Sequence, residues 1–349
     1  MISTASDIVA SQTRPHRVTM RKTVVSCAVL AVTLLLSIVA LALIGSESLP
    51  STASLCALAS LGTSPCGLTQ DQFDILFQIR LPRLLLAAAV GGSLATAGAG
   101  YQALLRNPLA EPYLLGISNG AAVGTMVALV FFGANEWTRP LLAFTGALVA
   151  TLAVYRLARG RTGATPERLI LAGVIVTTFL SSVIVFVTTL MDATRIRSFT
   201  FWLLGDLSGT SKTLLPVTIV VAVAGAVALT LNARSLNLLM LGERDAFDLG
   251  VEVGRVRIVV FLVASLLVGS AVAASGSVGY VGLVVPHLAR LSLGSDNRIS
   301  IPAAALGGAL FVIVADTVAR TIIAPRELPV GAITALIGAP LFIYLLRRA

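Results

Sequence analysis

Ten apolar stretches, most of them long enough for the roughly 20 residues that a membrane-crossing helix needs, decide what this chain can fold into. They fall near 23–45, 83–104, 113–132, 139–157, 169–190, 213–232, 258–276, 279–294, 302–322 and 329–346. In hydrocarbon every backbone N–H and C=O must be paired inside the protein, which leaves helices or a closed barrel. The alternating segments of a membrane barrel are missing from this sequence. A water-soluble core is excluded as well, because 56% hydrophobic and 12% charged residues leave too little polar surface to cover it. The prediction is an all-α polytopic membrane protein with ten transmembrane helices, forming one transmembrane domain over residues 1–349. The stretch near 279–294 is the least regular, since Gly276, Gly279, Gly282 and Pro286 shorten and interrupt it.

Ten spans place both termini on one side, and the basic residues say which. Seventeen of the 25 Lys and Arg residues fall on the terminal side, among them Arg21, Lys22, Arg156, Arg159 and Arg347, and eight on the other. The excess puts the termini in the cytoplasm, with residues 1–22 as a cytoplasmic tail. The formal charge of +9 is then the topogenic charge of a membrane protein and calls for no nucleic acid. Residues 1–45 have the basic start and apolar core of a signal peptide, but the apolar run is long and membrane segments follow, so it reads as an uncleaved first helix. Cys27 lies in that helix and reads as a small buried hydrophobe. Cys56 and Cys66 share the non-cytoplasmic loop 46–79, where a disulfide and two unpaired thiols are both allowed.

The longest cytoplasmic interruption runs from Ala233 to Arg257. Its apolar Leu236, Leu239, Leu241, Ala246, Leu249 and Val251 alternate with Glu243, Arg244, Asp245 and Asp248, which predicts two short amphipathic helices broken at Gly242 and Gly250. A helix lying on lipid wants a basic polar face. Acids and bases are balanced here, so the segment reads as a surface for a protein partner. There is also an internal echo: Gly92–Ala110 aligns with Gly269–Ala289, sharing Gly-Ser at the start and Pro followed by Leu-Ala at the end. The two copies lie five spans apart, so the halves have opposite orientation. Inverted repeats with interrupted helices are a transporter signature.

Three arginines run against the charge bias. Arg80 and Arg83 sit at the outer mouth of the second span and Arg320 near the outer end of the ninth. They read either as anchors and local pairs, with Asp316 and Arg320 spaced i, i+4, or as a cationic landing surface for an acidic partner. Negative evidence bears on energy. Gly205–Thr213 has glycines and a lysine but not the G-x-x-x-x-G-K-[ST] spacing, so no nucleotide site is encoded. Two histidines, His16 and His287, make neither a metal cluster nor a triad, so no catalytic or metal residues are expected. An ion-coupled transporter should hold acids in the membrane, and only Asp316 lies near a span.

Several segments carry a resemblance to a known family: RLPR from Arg80, GYQALLRNPLAEPYLLGISNGA, RLILAGV, FWLLGDLSG, LMLGERDAFDLGV, GYVGLVVPHLAR, ALGGALFVIVADTVAR and ELPVGAITALIGAPLFIYLL. The chain resembles the FecCD-type permease subunits of ABC importers for iron-siderophores, haem and vitamin B12, the vitamin B12 permeases in particular. The match runs from about Arg80 to the end, while the first helix and loop 46–79 agree only in length and hydrophobicity. The resemblance implies a type II ABC importer permease fold in the bacterial inner membrane, working as a homodimer around a central path lined largely by the fifth helix. On that helix Thr177, Thr178, Ser181 and Ser182 would line the path or bond neighbouring helices. It implies that Gly242, Glu243, Ala246, Leu249 and Gly250 dock into an ABC ATPase dimer, and that Arg80, Arg83 and Arg320 receive acidic residues of a periplasmic binding protein. It also implies a permease that is not an enzyme and binds no cofactor of its own, ATP and Mg being used by the partner. The implied function is ATP-driven import of an iron chelate or cobalamin; the alternative is an ion-coupled secondary transporter acting without an ATPase. The sequence does not choose among siderophore, haem and cobalamin.

Overall fold

Residues 20–132, 137–160, 163–209, 211 and 213–347 are described in the computed structural model. The expected cytoplasmic tail lies, up to residue 19, outside them. In chain order the helices are α1 Met20–Ala42, α2 Ser51–Ala59, α3 Gln70–Asp74, α4 Leu81–Leu104, α5 Ile117–Val127, α6 Thr138–Ala158, α7 Pro166–Thr188 and α8 Ala193–Leu203. They continue with α9 Leu214–Leu231, α10 Ala233–Leu241, α11 Glu243–Asp248, α12 Val253–Ser275, α13 Val281–Leu293, α14 Asn297–Thr321 and α15 Val330–Leu346. Among the described residues the strands are a two-residue ladder between α6 and α7. Seven helices are long and apolar enough to cross a membrane, and three shorter apolar helices, Ile117–Phe132, Val281–Leu293 and Val330–Leu345, stand where the sequence places the other spans.

Hydropathy alone misses three features. Helix α2 is too short to register as a span, and α8 is both short and more polar. The second span also starts far earlier than expected, because α3, a π turn over Ile75–Arg80 and α4 run on as one helix from Gln70 to Leu104. Capping chemistry marks two of these starts. Thr69 accepts from the Gln72 N–H while the Gln72 side chain accepts from the Thr69 N–H, and the Asp192 carboxylate accepts from the Arg195 N–H at 2.9 Å. The loop that holds α2 is closed by a Cys56–Cys66 disulfide, which settles the pairing that the spacing left open.

Helix α4 is the centre of the molecule. Its run of Gly, Ala and Ser buries nearly every residue and packs against α9, α12, α13 and α14. Lipid offers no hydrophobic reward for helix association, so contact depends on small residues that let backbones approach closely. At the α4–α13 crossing, a Cβ on Gly98 would lie 1.9 Å from the Gly282 carbonyl oxygen. No side chain fits there.

The helix pairings follow the internal echo. α4 packs on α14 as α12 packs on α6; α5–α6 corresponds to α13–α14, α6–α7 to α14–α15, and α5–α7 to α13–α15. An offset of five spans generates each of these correspondences. The interrupted helices of the two halves also meet. The first break is a 3-10 turn, Pro112–Leu115, ending at Gly116, and the second spans Gly276 to Tyr280. The Tyr113 hydroxyl donates to the Val278 carbonyl and accepts from the Val278 N–H, both at 3.0 Å. Nearby, Asp206 N–H donates to Ser275 O at 2.8 Å, and Val330 and Gly331 N–H donate to Gly205 and Leu204 carbonyls at 3.1 and 3.0 Å. Gly116 lies against Val176 and Thr177, half-way along α7, so this irregular backbone sits at membrane depth. It is tolerated because its polar groups are paired within protein.

Candidate functional site

Where α4 begins and α14 ends, the side expected to face outward, the structure gathers the three expected arginines, but it buries them, at 4%, 7% and 7% exposure for Arg80, Arg83 and Arg320. Arg80, carried on the π turn, donates to the carbonyls of Ala42 and Leu43 at 3.1 and 3.2 Å and to that of Glu47, fastening the end of α1. Arg83 grips Asp316 side-on, Nε at 3.0 Å from both carboxylate oxygens and Nη2 at 2.9 Å, while its Nη1 reaches Glu327 at 2.8 Å. The i, i+4 pairing of Asp316 with Arg320 is the weaker one, at 3.9 Å; Arg320 donates instead to Leu41 O at 3.0 Å and to the Thr317 hydroxyl. The side-on fork explains the preference, since two parallel N–H···O bonds outweigh one long contact. Of the five charged groups Glu327 is the exposed one, with Arg326 exposed beside it. The sequence shows no signal for Glu327, which belongs to a loop reached only through the fold.

The segment from Ala233 to Arg257 forms the two predicted helices, α10 and α11, broken at Gly242 and ended at Gly250, both with positive φ. Gly250 has open space around it and φ of +83°, so a side chain there is opposed by backbone strain alone. The apolar residues split into two sets. Leu236, Leu239, Ala246 and Val251 are buried, whereas Leu241, Phe247 and Leu249 are 66%, 71% and 61% exposed. Ala246 therefore seats the segment and is not available to a partner, contrary to its expected role. Phe247, the aromatic among charges that sequence reasoning passed over, is the neighbouring side chain that the helix turns outward. Glu243 is also committed within the chain, paired with Arg257 of α12 at 2.5 Å.

A polar clamp fixes α10 to α14. The Asn237 side chain donates to Asp296 at 2.7 Å and accepts from the Asn297 N–H and side-chain NH2 at 2.9 and 2.8 Å. Asp296 caps α14 and forks with Arg298. Burial pushes its carboxyl up, but the Arg298 side chain and N–H and the Asn237 amide outweigh that and hold it below the usual carboxylate value. A depressed carboxylate pKa stabilises the fold above its unfolded value, and the contribution disappears as pH falls through the folded value. The clamp should therefore loosen below about pH 4. Asp296→Ala should cost about 1 kcal/mol and remove that acid dependence. Hydrogen exchange of α10 between pH 3 and 7 reads both effects.

Along α7 the four expected path residues divide. Asn119 of α5 donates to the Thr177 carbonyl at 3.1 Å and to the Ser181 hydroxyl at 2.8 Å, so this pair serves helix packing. Thr178 and Ser182 lie on the opposite, exposed face and bond back to their own helix at Val174 O and Thr178 O. That face continues through Leu171, Ile175, Phe179 and Phe186, all exposed. Glu111, which the sequence analysis does not single out, folds into the junction of broken helices, where it accepts from the Tyr280 N–H at 3.2 Å.

A multi-span bundle with an inverted repeat, broken helices meeting at membrane depth, and a paired-helix segment with an exposed apolar edge now stand together. The model of the FecCD transport family matches residues 29–348, which takes in the later part of the first helix and the loop after it. The chain belongs to the FecCD transport family. Over 282 residues it is 43% identical to the cobalamin import system permease protein BtuC of Halobacterium salinarum, covering 80% of this chain and 75% of that one. It is 41% identical over 286 residues to the hemin transport system permease protein HmuU of Yersinia pestis, covering 79% and 84%. A solved structure of a metal-chelate type ABC transporter in an inward-facing conformation superposes with a TM-score of 0.80 at 30% identity, covering 94% of this chain and all of that one. The chain is thus a multi-pass membrane permease of the ABC-importer kind.

Proposed function

We propose that two copies of this chain form the membrane path of an ATP-driven importer, which accepts an iron chelate or cobalamin from a periplasmic binding protein and releases it into the cytoplasm. The observation that carries this reading is the segment from α10 to Gly250. It is held rigidly by the Asn237 clamp and the Glu243–Arg257 pair, yet it presents Leu241, Phe247 and Leu249 to the outside. Apolar anchors on a rigid support suit a cleft in an ATPase subunit. Binding and hydrolysis of ATP there would bias the bundle between outward- and inward-open arrangements. The exposed face of α7, carrying Thr178 and Ser182, would line the path against the second copy. Outside, a carboxylate of the binding protein would reach Arg83 by replacing Glu327, the exposed member of the outer cluster.

Glu111 separates this reading from ion coupling, because it is the carboxylate that the fold places among the broken helices. In an ATP-driven permease it only holds the Tyr280 turn, and glutamine keeps the acceptor oxygen. Glu111→Gln should then leave ATP-dependent uptake within about twofold of wild type, a lost increment of under ~0.5 kcal/mol. Uptake that follows a proton gradient without an ATPase and is abolished in Glu111→Gln would overturn the proposal.

A further inference from the structure

Beside α1 the surface of the bundle carries a groove of about 630 Å³, and no step of the transport reading uses it. It exists because α1 and α13 both pack on α14 and leave the space between them open, with the small Ala303 and Gly307 of α14 as its floor. Val25, Val29 and Leu30 line it from α1, Leu288 from α13 and Phe311 from α14. Val25 and Val29 are more than half exposed, so the groove opens sideways, where a membrane-spanning bundle meets lipid. Apolar space that opens to hydrocarbon is filled by hydrocarbon, because an unfilled wall forfeits the dispersion contacts of the atoms that line it. Its length says what fills it. Along α14 the lining runs from Ala303 to Val314, about 16 Å at 1.5 Å per residue, or half of a hydrocarbon core of ~30 Å. One acyl chain of one leaflet matches that length.

The end of the groove selects the headgroup. Lys22, Ser26 and Leu30 stand i, i+4 and i+8 along one face of α1, and the last two line the groove. Lys22 therefore lies at its mouth. From there the ammonium reaches across to α13 and donates to the Leu293 carbonyl at 3.4 Å, and Leu293 is itself part of the lining. Lys22 makes no ion pair among the described residues, and an ammonium with three donors has spent one. Ser26 and Ser292 add hydroxyls at the same end. A lysine there meets the phosphate of a lipid whose chain lies in the groove, and basic side chains at this depth favour lipids with net negative charge.

We propose that this groove binds one acidic phospholipid from the leaflet at the start of α1, with its acyl chain between α1 and α13 and its phosphate on Lys22. Native mass spectrometry tests this on the full chain released from nanodiscs that hold equal amounts of dioleoylphosphatidylglycerol and dioleoylphosphatidylcholine, which share their chains and differ in net charge. The glycerol lipid should be retained in preference. Lys22→Gln should reduce that preference about fivefold, the scale of one basic side chain near an anionic surface. Arg255→Gln removes an exposed cation outside the groove and should change nothing. Gly307→Phe fills the floor and should expel the retained lipid. Val29→Trp, at a position 59% exposed, fills the groove from its lip without entering the core, so it keeps the test decisive even where Gly307→Phe does not fold. Equal retention of the two lipids, the same loss in Arg255→Gln as in Lys22→Gln, or full retention in Val29→Trp overturns the assignment. Loss of self-association in Val29→Trp with lipid retention unchanged would put a second copy of the chain in the groove and overturn it too.

Discussion

Arg83→Leu should destabilise the folded chain by about 3–5 kcal/mol, the cost of leaving a buried carboxylate without its partner. Asp316 is fully buried, and its remaining cation, Arg320, stands 3.9 Å away. The double replacement Arg83→Leu with Asp316→Leu removes the orphaned charge along with its partner and should recover most of the loss, as buried pairs exchanged for apolar residues commonly do. Unfolding in detergent, followed by tryptophan fluorescence, reads the cycle. If these arginines existed only to receive a binding protein, Arg83→Leu would leave stability untouched and the double variant would show no recovery. Glu327→Gln complements the test from the exposed side. It weakens the internal competitor for Arg83 without opening the core, so affinity for the binding protein should rise.

The second large effect concerns the segment from α10 to Gly250, which we propose meets the ATPase. Phe247→Asp should abolish capture of the ATPase, because an aromatic anchor at the centre of an interface is commonly worth about 2–4 kcal/mol, or roughly 30- to 1,000-fold in affinity. The change should not disturb the fold, since the Phe247 ring stands free of the core while its neighbour Ala246 seats the helix. Ala246→Phe should do the reverse, lowering stability by overpacking. Co-purification of the ATPase with the chain in nanodiscs distinguishes these outcomes. Undiminished capture by Phe247→Asp would move the docking surface elsewhere.

The spans were legible because lipid imposes one rule, internal pairing of every backbone group, and hydropathy reports it directly. The break points were legible for the same reason, since Gly and Pro interrupt helices whatever their neighbours. Gly242 and Gly250 divide α10 from α11 and end α11 as their placement predicts. What the sequence could not show is which side of a short helix faces inward. Ala246 and Phe247 are adjacent, and only the packing of α11 on α12 buries one and leaves the other exposed. Partnerships between residues far apart in the chain were equally hidden. Arg83 finds Asp316, and Asn237 finds Asp296, through helix packing that no local spacing encodes. The i, i+4 logic that joined Asp316 to Arg320 was sound for an isolated helix and was outcompeted by a better-aligned fork. Glu111 was hidden in the same way, since the Tyr280 N–H that it accepts from lies 169 residues further along the chain.

The most direct test is uptake into proteoliposomes that hold this chain with its ATPase, ATP inside, and the binding protein loaded in turn with ferric siderophore, haem or cobalamin. An ATP-driven permease accumulates one of these ligands only when ATP and the ATPase are both present, and Phe247→Asp abolishes that accumulation. Accumulation that needs no ATPase and follows an ion gradient, or that persists in Phe247→Asp, would contradict it.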